Sequence, residues 1–527
     1  MKKTIVGLII SLMLTWFAMR HLAQPGFFSM HDDTQIGRVV VMGRALRLGQ
    51  FPVRWVSDLG YGYGYPIFNF YGPLPYYVGG SFYALGISGL VSTKIIFAIG
   101  IVAAAASMYL LGRHAFGPLG GILASVLYTY APYHAVQIYV RGAVGEFWAF
   151  AFLPIVLLGV GTKNSFITAL GIFGVITSHT IMGYVVALGA LVAVPFFPRL
   201  GKGLVLGLGL SAFFWLPAFW ERSYTSVATQ IGPTSNFLDH FVCPTQLWDS
   251  LWGFGGSAVG CIDGLSYRLG KPHILLALVG VMLWLRARGT FLRWIMVVGI
   301  LSIFIMLKES QFIWSLLPNV AYIQYPWRFL MFSVLSLSIL GGSVVTRLTN
   351  RPMRVFIGGV LIAAILMVYV KLFTPQFFHQ ARADSYETEE ELRFRVSKVS
   401  DEYLPSAIVR PKNASEINRD TIEKRDSYAV KTNRETDTYA MFTFDAKNDQ
   451  IIRINKAYFP GWRYKVNGVW VTPRLIDGLP YLPISAGRST VEMRFYNTWI
   501  RTTSNAISLT TVVFLLFQYG KRKKTNS

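Results

Sequence analysis

The stretch Leu74-Pro-Tyr-Tyr-Val-Gly-Gly-Ser-Phe-Tyr-Ala-Leu-Gly-Ile87 decides the topology of the whole chain. Counted as a membrane span, it would place Arg113 on the same side as every acidic loop and invert all that follows. Read as a helix at the membrane surface, or dipping partway in, it leaves a consistent pattern. Pro73 and Pro75 suit a helix start, and Tyr76, Tyr77 and Tyr83 suit the aromatic headgroup belt.

With that segment set aside, apolar runs long enough for a hydrocarbon core of roughly 30 Å fall at about 4–22, 92–112, 117–133, 145–161, 165–178, 180–197, 203–219, 272–286, 293–308, 327–346, 354–373 and 503–519. With the Lys2–Lys3 end inside, the inner turns hold Arg113, Lys163, Arg199 with Lys202, Arg286 with Arg288, Arg347 with Arg351 and Arg354, and Lys521 to Lys524. None of these turns contains an Asp or a Glu. This is the positive-inside pattern, and it predicts about twelve transmembrane helices with both termini cytoplasmic, in a bacterial inner membrane.

The 53% hydrophobic content and the mean hydropathy of +0.44 agree with that reading. The net charge of +23 resides in the basic turns, because residues 374–501 hold 20 Lys/Arg against 17 Asp/Glu. A nucleic-acid partner is therefore not expected. The N-terminal apolar run is followed by Arg20, His21 and Leu22 rather than a small-residue cleavage site, so it reads as an uncleaved signal anchor.

Outside 374–501 there are nine acidic residues: Asp32, Asp33, Asp58, Glu146, Glu221, Asp239, Asp249, Asp263 and Glu309. All nine fall in outer loops or at outer helix ends, which places any chemistry outside. The domains read as a transmembrane part over 1–373 with outer loops 23–91 and 221–271, an outer part over 374–501, and a last helix with a basic tail over 502–527. Alternation in Ile451–Ile454 and Trp462–Val466, with Asn467-Gly468 as a hairpin turn and Ala486-Gly487 before another strand, predicts an extracytoplasmic β-sandwich. The stretch 384–440 carries no clear period. Cys243 and Cys261 share one outer loop and are expected to form a disulfide, the other reading being two free thiols.

Chemistry concentrates in a few short motifs. His31-Asp32-Asp33-Thr34 precedes an apolar stripe of Ile36, Val39, Val40, Gly43, Leu46 and Leu48, a helix expected along the membrane surface. Asp33 or Thr34 can cap that helix. The paired carboxylates can instead act as general base or hold a divalent cation such as Mg or Mn. Gly60-Tyr-Gly-Tyr-Gly-Tyr65-Pro66, with Phe68, Phe70 and Tyr71, reads as an interfacial belt or as a platform for sugar rings or isoprenoid tails. Arg141-Gly-Ala-Val-Gly-Glu146 places an acid at the start of a membrane helix, a functional candidate or half of a structural ion pair. His179 lies at an outer turn. Arg328, in Pro326-Trp327-Arg328, can grip a phosphate or snorkel to the headgroups.

Together these residues resemble the GT-C superfamily of membrane glycosyltransferases, which carries an acidic motif early in the first outer loop and often a second acid after the third span. More closely, His31-Asp32-Asp33, the Gly-Tyr-rich run, Arg141 to Glu146, Ser178-His179 and Pro326 to Arg328 resemble a bacterial membrane family labelled "6-pyruvoyl-tetrahydropterin synthase-related". The label fits poorly, since the eight histidines are scattered and nothing is similar to that synthase's zinc site. Tyr458-Phe-Pro-Gly-Trp462 is similar to the end of a neighbouring envelope-glycosylating family. The resemblance implies a sugar donor on a polyprenyl phosphate, membrane lipid around it, and an extracytoplasmic glycan or lipid acceptor. It implies Asp32 as general base, Asp33 as its helper or a cation ligand, Arg328 and His179 on the lipid phosphate, and Glu146 orienting Arg141 or touching the acceptor. His31, Tyr65 and Tyr71 complete the expected substrate contacts. The rival class is a non-catalytic lipid-linked glycan transporter or assembly scaffold. Transporters favour internal repeats and charges at mid-membrane, and neither is found here.

Overall fold

The computed structural model describes residues 2–227, 236–253, 256–284, 290–316, 320–348 and 350–525. Arg286 and Arg288, and the side chains of Lys2, Arg347 and Arg522 to Lys524, lie outside the described residues. The chain divides into two compact units, each assembled from three separate stretches. The first comprises Met1–Asp33, Lys94–Leu210 and Ile231–Ala381; the second comprises Thr34–Thr93, Ser211–Gln230 and Arg382–Ser527.

Among the described residues, seven helices are long and apolar enough to cross a membrane: Lys3–Ala23, Gly89–Thr129, Val144–Gly161, Pro198–Tyr224, Pro326–Thr346, Arg351–Leu372 and Trp499–Gln518. An eighth is reached if Thr290–Phe304 and Lys308–Leu316, bent by 96°, count as one broken span. Three further apolar helices, Ser165–Ser178, Thr180–Ala193 and Lys271–Trp284, have 14 residues each. At 1.5 Å per residue they reach about 21 Å, short of a full crossing. The 41-residue helix Gly89–Thr129 is interrupted at Gly117, whose φ of +77° just before Pro118 marks the turn expected between two runs.

In the first unit the helices approach closely through glycine. A Cβ on Gly159 would lie 2.3 Å from the Thr168 nitrogen, and one on Gly280 would lie 2.2 Å from the Leu340 carbonyl oxygen. Without side chains at these positions the neighbouring backbones pack directly, which supplies dispersion contact where lipid offers no hydrophobic drive. The buried end of helix Gly89–Thr129 is satisfied by two imidazoles. His273 Nε2 donates to the Leu127 carbonyl at 2.7 Å and His134 Nδ1 to the Thr129 carbonyl at 2.9 Å. Those carbonyls have no intrahelical partner, and burying them unpaired would cost free energy. A two-stranded ladder, β1 (Phe27–Phe28) with β2 (Phe378–His379), ties the first loop to the segment after the last long helix of this unit.

The second unit holds the strands. β3 (Tyr428–Glu435), β4 (Tyr439–Ala446), β6 (Trp462–Val466), β7 (Val469–Val471) and β10 (Gly487–Phe495) form an antiparallel sheet in the order β3-β4-β10-β6-β7. β5 (Gln450–Arg453), β8 (Arg474–Ile476) and β9 (Leu479–Ile484) form a second sheet in the order β5-β9-β8. The inner face of the larger sheet buries Phe442, Phe444, Trp462, Tyr464, Val491 and Met493. Asn467 and Gly468 take φ of +49° and +80°, a two-residue turn joining β6 to β7 as expected. The turn at Gly487 instead carries the chain from one sheet to the other.

Leu74–Ala84 is an 11-residue helix of about 16 Å, too short to cross. Its tyrosines do not form an exposed belt. Tyr76 is fully buried with its hydroxyl on Gln35 Oε1 at 2.5 Å, and Tyr83 donates to Glu387 Oε2 at 2.7 Å. Helix Gln35–Arg47 corrects a second expectation, being buried on nearly all sides, Arg38 included, rather than on one stripe. A buried ion pair and a buried guanidinium held by neutral acceptors complete this unit. Arg501 makes a bidentate contact with Glu221 at 2.9 and 3.0 Å, joined by the Thr498 hydroxyl. Arg54 donates to Asn69 Oδ1, the Phe213 carbonyl and Asn505 Oδ1 at 2.8 to 3.0 Å.

Candidate functional site

In the first unit, residues from four separate stretches converge on Glu146. The short helix Pro132–Tyr139 presents Tyr133 and Gln137 one turn apart, and Arg141 follows just past its end. Gly142 then turns the chain with φ of +65°, and Val144–Gly161 begins with Glu146 in its first turn. A carboxylate near a helix N-terminus meets the positive end of the helix dipole. Glu146 is fully buried. Its Oε1 accepts from Tyr133 at 2.5 Å and Gln137 at 2.7 Å, and its Oε2 accepts from Arg141 at 2.9 Å. Arg328 Nε stands 3.9 Å from the same Oε2.

Two guanidinium groups thus share one carboxylate. Arg141 also bonds Gln137 Oε1 at 3.0 Å and lies 4.6 Å over the Trp327 ring. Arg328 donates to the Ile323 carbonyl at 2.6 Å and to Gln324 Oε1 at 3.3 Å. It is nine-tenths buried, and its Nε has no hydrogen-bond partner among the described residues. A buried unpaired N–H on a charged group is costly, and an incoming anion would relieve it.

Main-chain bonds set His31 and Asp32 against this cluster. His31 N donates to the Val140 carbonyl at 3.0 Å and Asp32 N to the Arg141 carbonyl at 2.7 Å. The clamp needs Gly142, because a Cβ there would lie 2.0 Å from Met30 Sδ. His31 Nδ1 contacts Asp32 Oδ1 at 2.8 Å, and both side chains are partly open to solvent. That hydrogen bond raises the His31 pKa above 6.5 despite partial burial, with the Asp32 charge adding to it. His179 lies between helices Ser165–Ser178 and Thr180–Ala193, where its Nδ1 accepts from Met182 N at 3.2 Å. It is within electrostatic reach of Glu146, Arg328, Arg141 and Asp32.

Of the residues picked from sequence, His31, Asp32, Arg141, Glu146, His179 and Arg328 come together here. Asp33 follows Asp32 in the same unit. Thr34, at the start of helix Gln35–Arg47, makes no side-chain capping bond. Tyr65 and Tyr71 are in the second unit. The Tyr65 hydroxyl is buried, donating to the Ser400 carbonyl at 2.6 Å and accepting from Tyr403 N at 3.1 Å, and Arg38 lies 4.2 Å over the Tyr71 ring. Cys243 and Cys261 are disulfide-bonded with Cα atoms 5.5 Å apart. Among the described residues no group of three His, Cys, Asp or Glu side chains is arranged to hold a metal ion.

Sequence reasoning missed Tyr133 and Gln137, although Tyr133, Gln137 and Arg141 recur every four residues, one face of a helix, ahead of a lone acid. It also missed what the disulfide-bearing loop contributes through Ser257, His240 and Tyr267. Ser257 Oγ accepts from Trp327 Nε1 at 2.9 Å and contacts His240 Nδ1 at 2.9 Å and the Tyr267 hydroxyl at 3.1 Å. That trio fixes the indole on which Arg141 stacks.

No protein-family model matches the chain, so the resemblance to the pterin-synthase-related family finds no support there. A search of curated proteins found no match. Among solved structures, the chain is similar to the arabinofuranosyltransferase AftD from Mycobacteria, with 16% identity and a TM-score of 0.45 over 72% of this chain and 28% of that one. It is also similar to the Archaeoglobus fulgidus oligosaccharyltransferase in its apo form, with 16% identity and a TM-score of 0.46 over 70% of this chain and 55% of that one. The same archaeal enzyme, AglB, solved with an inhibitory peptide and a dolichol-phosphate, gives 14% identity and a TM-score of 0.42. The chain spans between about a quarter and just over half the length of the chains in these three structures.

Proposed function

We propose that the chain is a membrane glycosyltransferase that moves a sugar from a polyprenyl-phosphate donor to an extracytoplasmic envelope acceptor. The observation that carries this reading is a partly exposed carboxylate, Asp32, beside two arginines around Glu146: Arg141, largely covered, and buried Arg328, whose Nε has no hydrogen-bond partner among the described residues. Transfer from a phosphate-linked sugar needs a base toward the acceptor hydroxyl and cationic donors for the departing phosphate. In this reading Asp32 takes the acceptor proton as its oxygen attacks the anomeric carbon, and the C–O bond to the lipid phosphate breaks. Arg328, with Arg141, receives the phosphate charge. His31 orients Asp32 through the 2.8 Å contact, and Glu146 holds Arg141 in place.

Around this chemistry we place twelve spans with cytoplasmic termini in a bacterial inner membrane, and the two sheets as an extracytoplasmic sandwich. Tyr65 and Tyr71, each held by partners in its own unit, keep a role in the proposal only as walls that shape the substrate's surroundings.

The test is mass spectrometry of lipid-linked and envelope glycans in a strain lacking the gene, complemented with wild type, Asp32→Asn or Arg328→Gln. Loss of a glycan, build-up of its polyprenyl-linked precursor, and rescue by wild type alone are expected. Full rescue by both variants at equal protein level would overturn the reading and favour a scaffold or transporter.

A further inference from the structure

The outer face of the five-stranded sheet carries an unusual ladder of cations laid over aromatic rings. Alternation places Arg463 and Lys465 of β6, Arg494 of β10, and Trp470 of β7 on the face opposite the buried Trp462, Tyr464 and Met493. Register sets Arg463 beside Arg494 and Lys465 beside Trp470. The Arg463 and Arg494 guanidinium groups lie 5.4 and 5.3 Å from the Tyr496 ring, and the Lys465 ammonium lies 4.5 Å from the Trp470 ring. Arg434 lies 5.6 Å from the Tyr439 ring on the same sheet. The neighbouring acid on this face, Glu492, stands 3.9 Å from Lys465. Two like charges directly opposite one another on adjacent strands are destabilising, so the Arg463–Arg494 pair is not there for the sheet's own stability.

The ladder ends where the chain enters the membrane. Trp470 is half-exposed, and its ring centroid is 6.4 Å from that of Tyr496. Three residues later Trp499 opens the last membrane-crossing helix, and its exposed ring meets exposed Trp220 edge-on at 5.2 Å. Trp220 lies near the end of the crossing helix Pro198–Tyr224. Exposed tryptophans at the ends of two spans mark the depth of the headgroups. Tyr496 can be no more than about 10 Å of extended chain from Trp499.

We propose that this sheet face docks on the adjacent membrane surface, with Trp470 at headgroup depth and Arg463, Lys465 and Arg494 engaging the phosphates of anionic lipids. Arginine pairs bidentately with phosphate, and indole partitions to the interface, so both residue types match one occupant. The rings are already covered by cations, which leaves them poor platforms for stacking a sugar and favours headgroups over a neutral glycan. The proposal rests on the membrane reading of the chain and not on glycosyl transfer.

The test uses the full chain in lipid nanodiscs with a fluorescent NBD probe on Val469→Cys, an exposed position at the hairpin tip beside Trp470. The two native cysteines are disulfide-bonded, so labelling is selective. In discs containing phosphatidylglycerol the probe emission is expected to shift to the blue and to be quenched by headgroup-proximal spin-labelled lipid. Quenching is expected to fall about twofold or more in pure phosphatidylcholine, in high salt, or in the Arg463→Gln/Lys465→Gln/Arg494→Gln variant. The salt series on the unaltered face covers the case of a variant that misfolds. Water-like emission, unquenched in both lipids, would overturn the proposal. So would quenching that is indifferent to lipid charge and salt, or protection of the probe by soluble polyphosphate alone, which would assign the face to an anionic polymer.

Discussion

Replacing Glu146 with Gln keeps the shape of the side chain and removes the charge that two buried arginines share. The Oε1 bonds from Tyr133 and Gln137 can pass to the glutamine oxygen, so the loss is concentrated at Oε2. There the 2.9 Å bond from Arg141 disappears and Arg328, at 3.9 Å, loses its counter-charge. A hydrogen bond to a charged group contributes about 1.5–3 kcal/mol. Leaving a buried partner uncompensated brings the cost of breaking such a pair to about 3–5 kcal/mol. Glu146→Gln is therefore expected to destabilise the protein by about 3–5 kcal/mol, measured by reversible unfolding in mixed micelles with increasing dodecyl sulfate and followed by tryptophan fluorescence. Arg141→Met alone should fall in the same range. The double variant should cost less than the sum of the two by about 1.5 kcal/mol or more, because each single change strands the other's charge. A loss under about 1 kcal/mol for Glu146→Gln, with strictly additive behaviour in the double variant, would refute the idea that this carboxylate anchors the two arginines.

Three further outcomes are expected. Gly142→Ala meets both a left-handed backbone and the Met30 sulfur, and it should cost about 1–2 kcal/mol in the same unfolding assay. The His31 pKa lies above 6.5 because of Asp32, so the stability from that pair is fully present below pH 6.5 and is lost as pH rises through the raised value. Asp32→Asn should move the His31 titration, read by NMR of labelled histidine, down toward 6.5, and an unchanged titration would contradict the pairing. Cys243→Ser/Cys261→Ser opens a loop whose cysteines are 18 residues apart, and limited proteolysis should then cut first between these positions while the helices remain intact.

Much of the fold was legible in the sequence because charge and hydropathy leave strong one-dimensional traces. Helices occupy the expected apolar runs, the short aromatic segment at 74–84 does not cross, and Asn467-Gly468 turns as its residue types require. What escaped depends on partners distant in sequence. Alternation identifies β5 and β6 as strands, but says nothing of their belonging to different sheets, because sheet membership is fixed by pairing rather than by period. The segment 384–440 showed no period because its first part folds as 3-10, π-helical and extended pieces held by side-chain bonds, such as Arg410 to Asp401 at 2.7 Å, and because its strand β3 is exposed along most of its length. Tyr65 looked like a substrate platform because an aromatic run reads the same whether its hydroxyls face water or, as here, the Ser400 carbonyl. In the site itself the lone acid Glu146 was visible, since a carboxylate at a membrane helix is rare. Tyr133 and Gln137 were not, since their types occur on many helix faces.

The second unit has a consequence for how the protein is made. Its stretches are Thr34–Thr93, Ser211–Gln230 and Arg382–Ser527, so a ribosome delivers its first part hundreds of residues before its last. Arg54 waits for Asn505, 451 positions later, and Glu221 waits 280 positions for Arg501. Until the final helix is in place, Glu221 lacks the guanidinium that neutralises it, and Arg54 lacks one of its three acceptors. The side-chain bonds of the stretch Thr34–Thr93 are thus complete only when residues near Asn505 are in place. Loss of that helix would leave Glu221 buried without its guanidinium partner rather than merely shorten the unit.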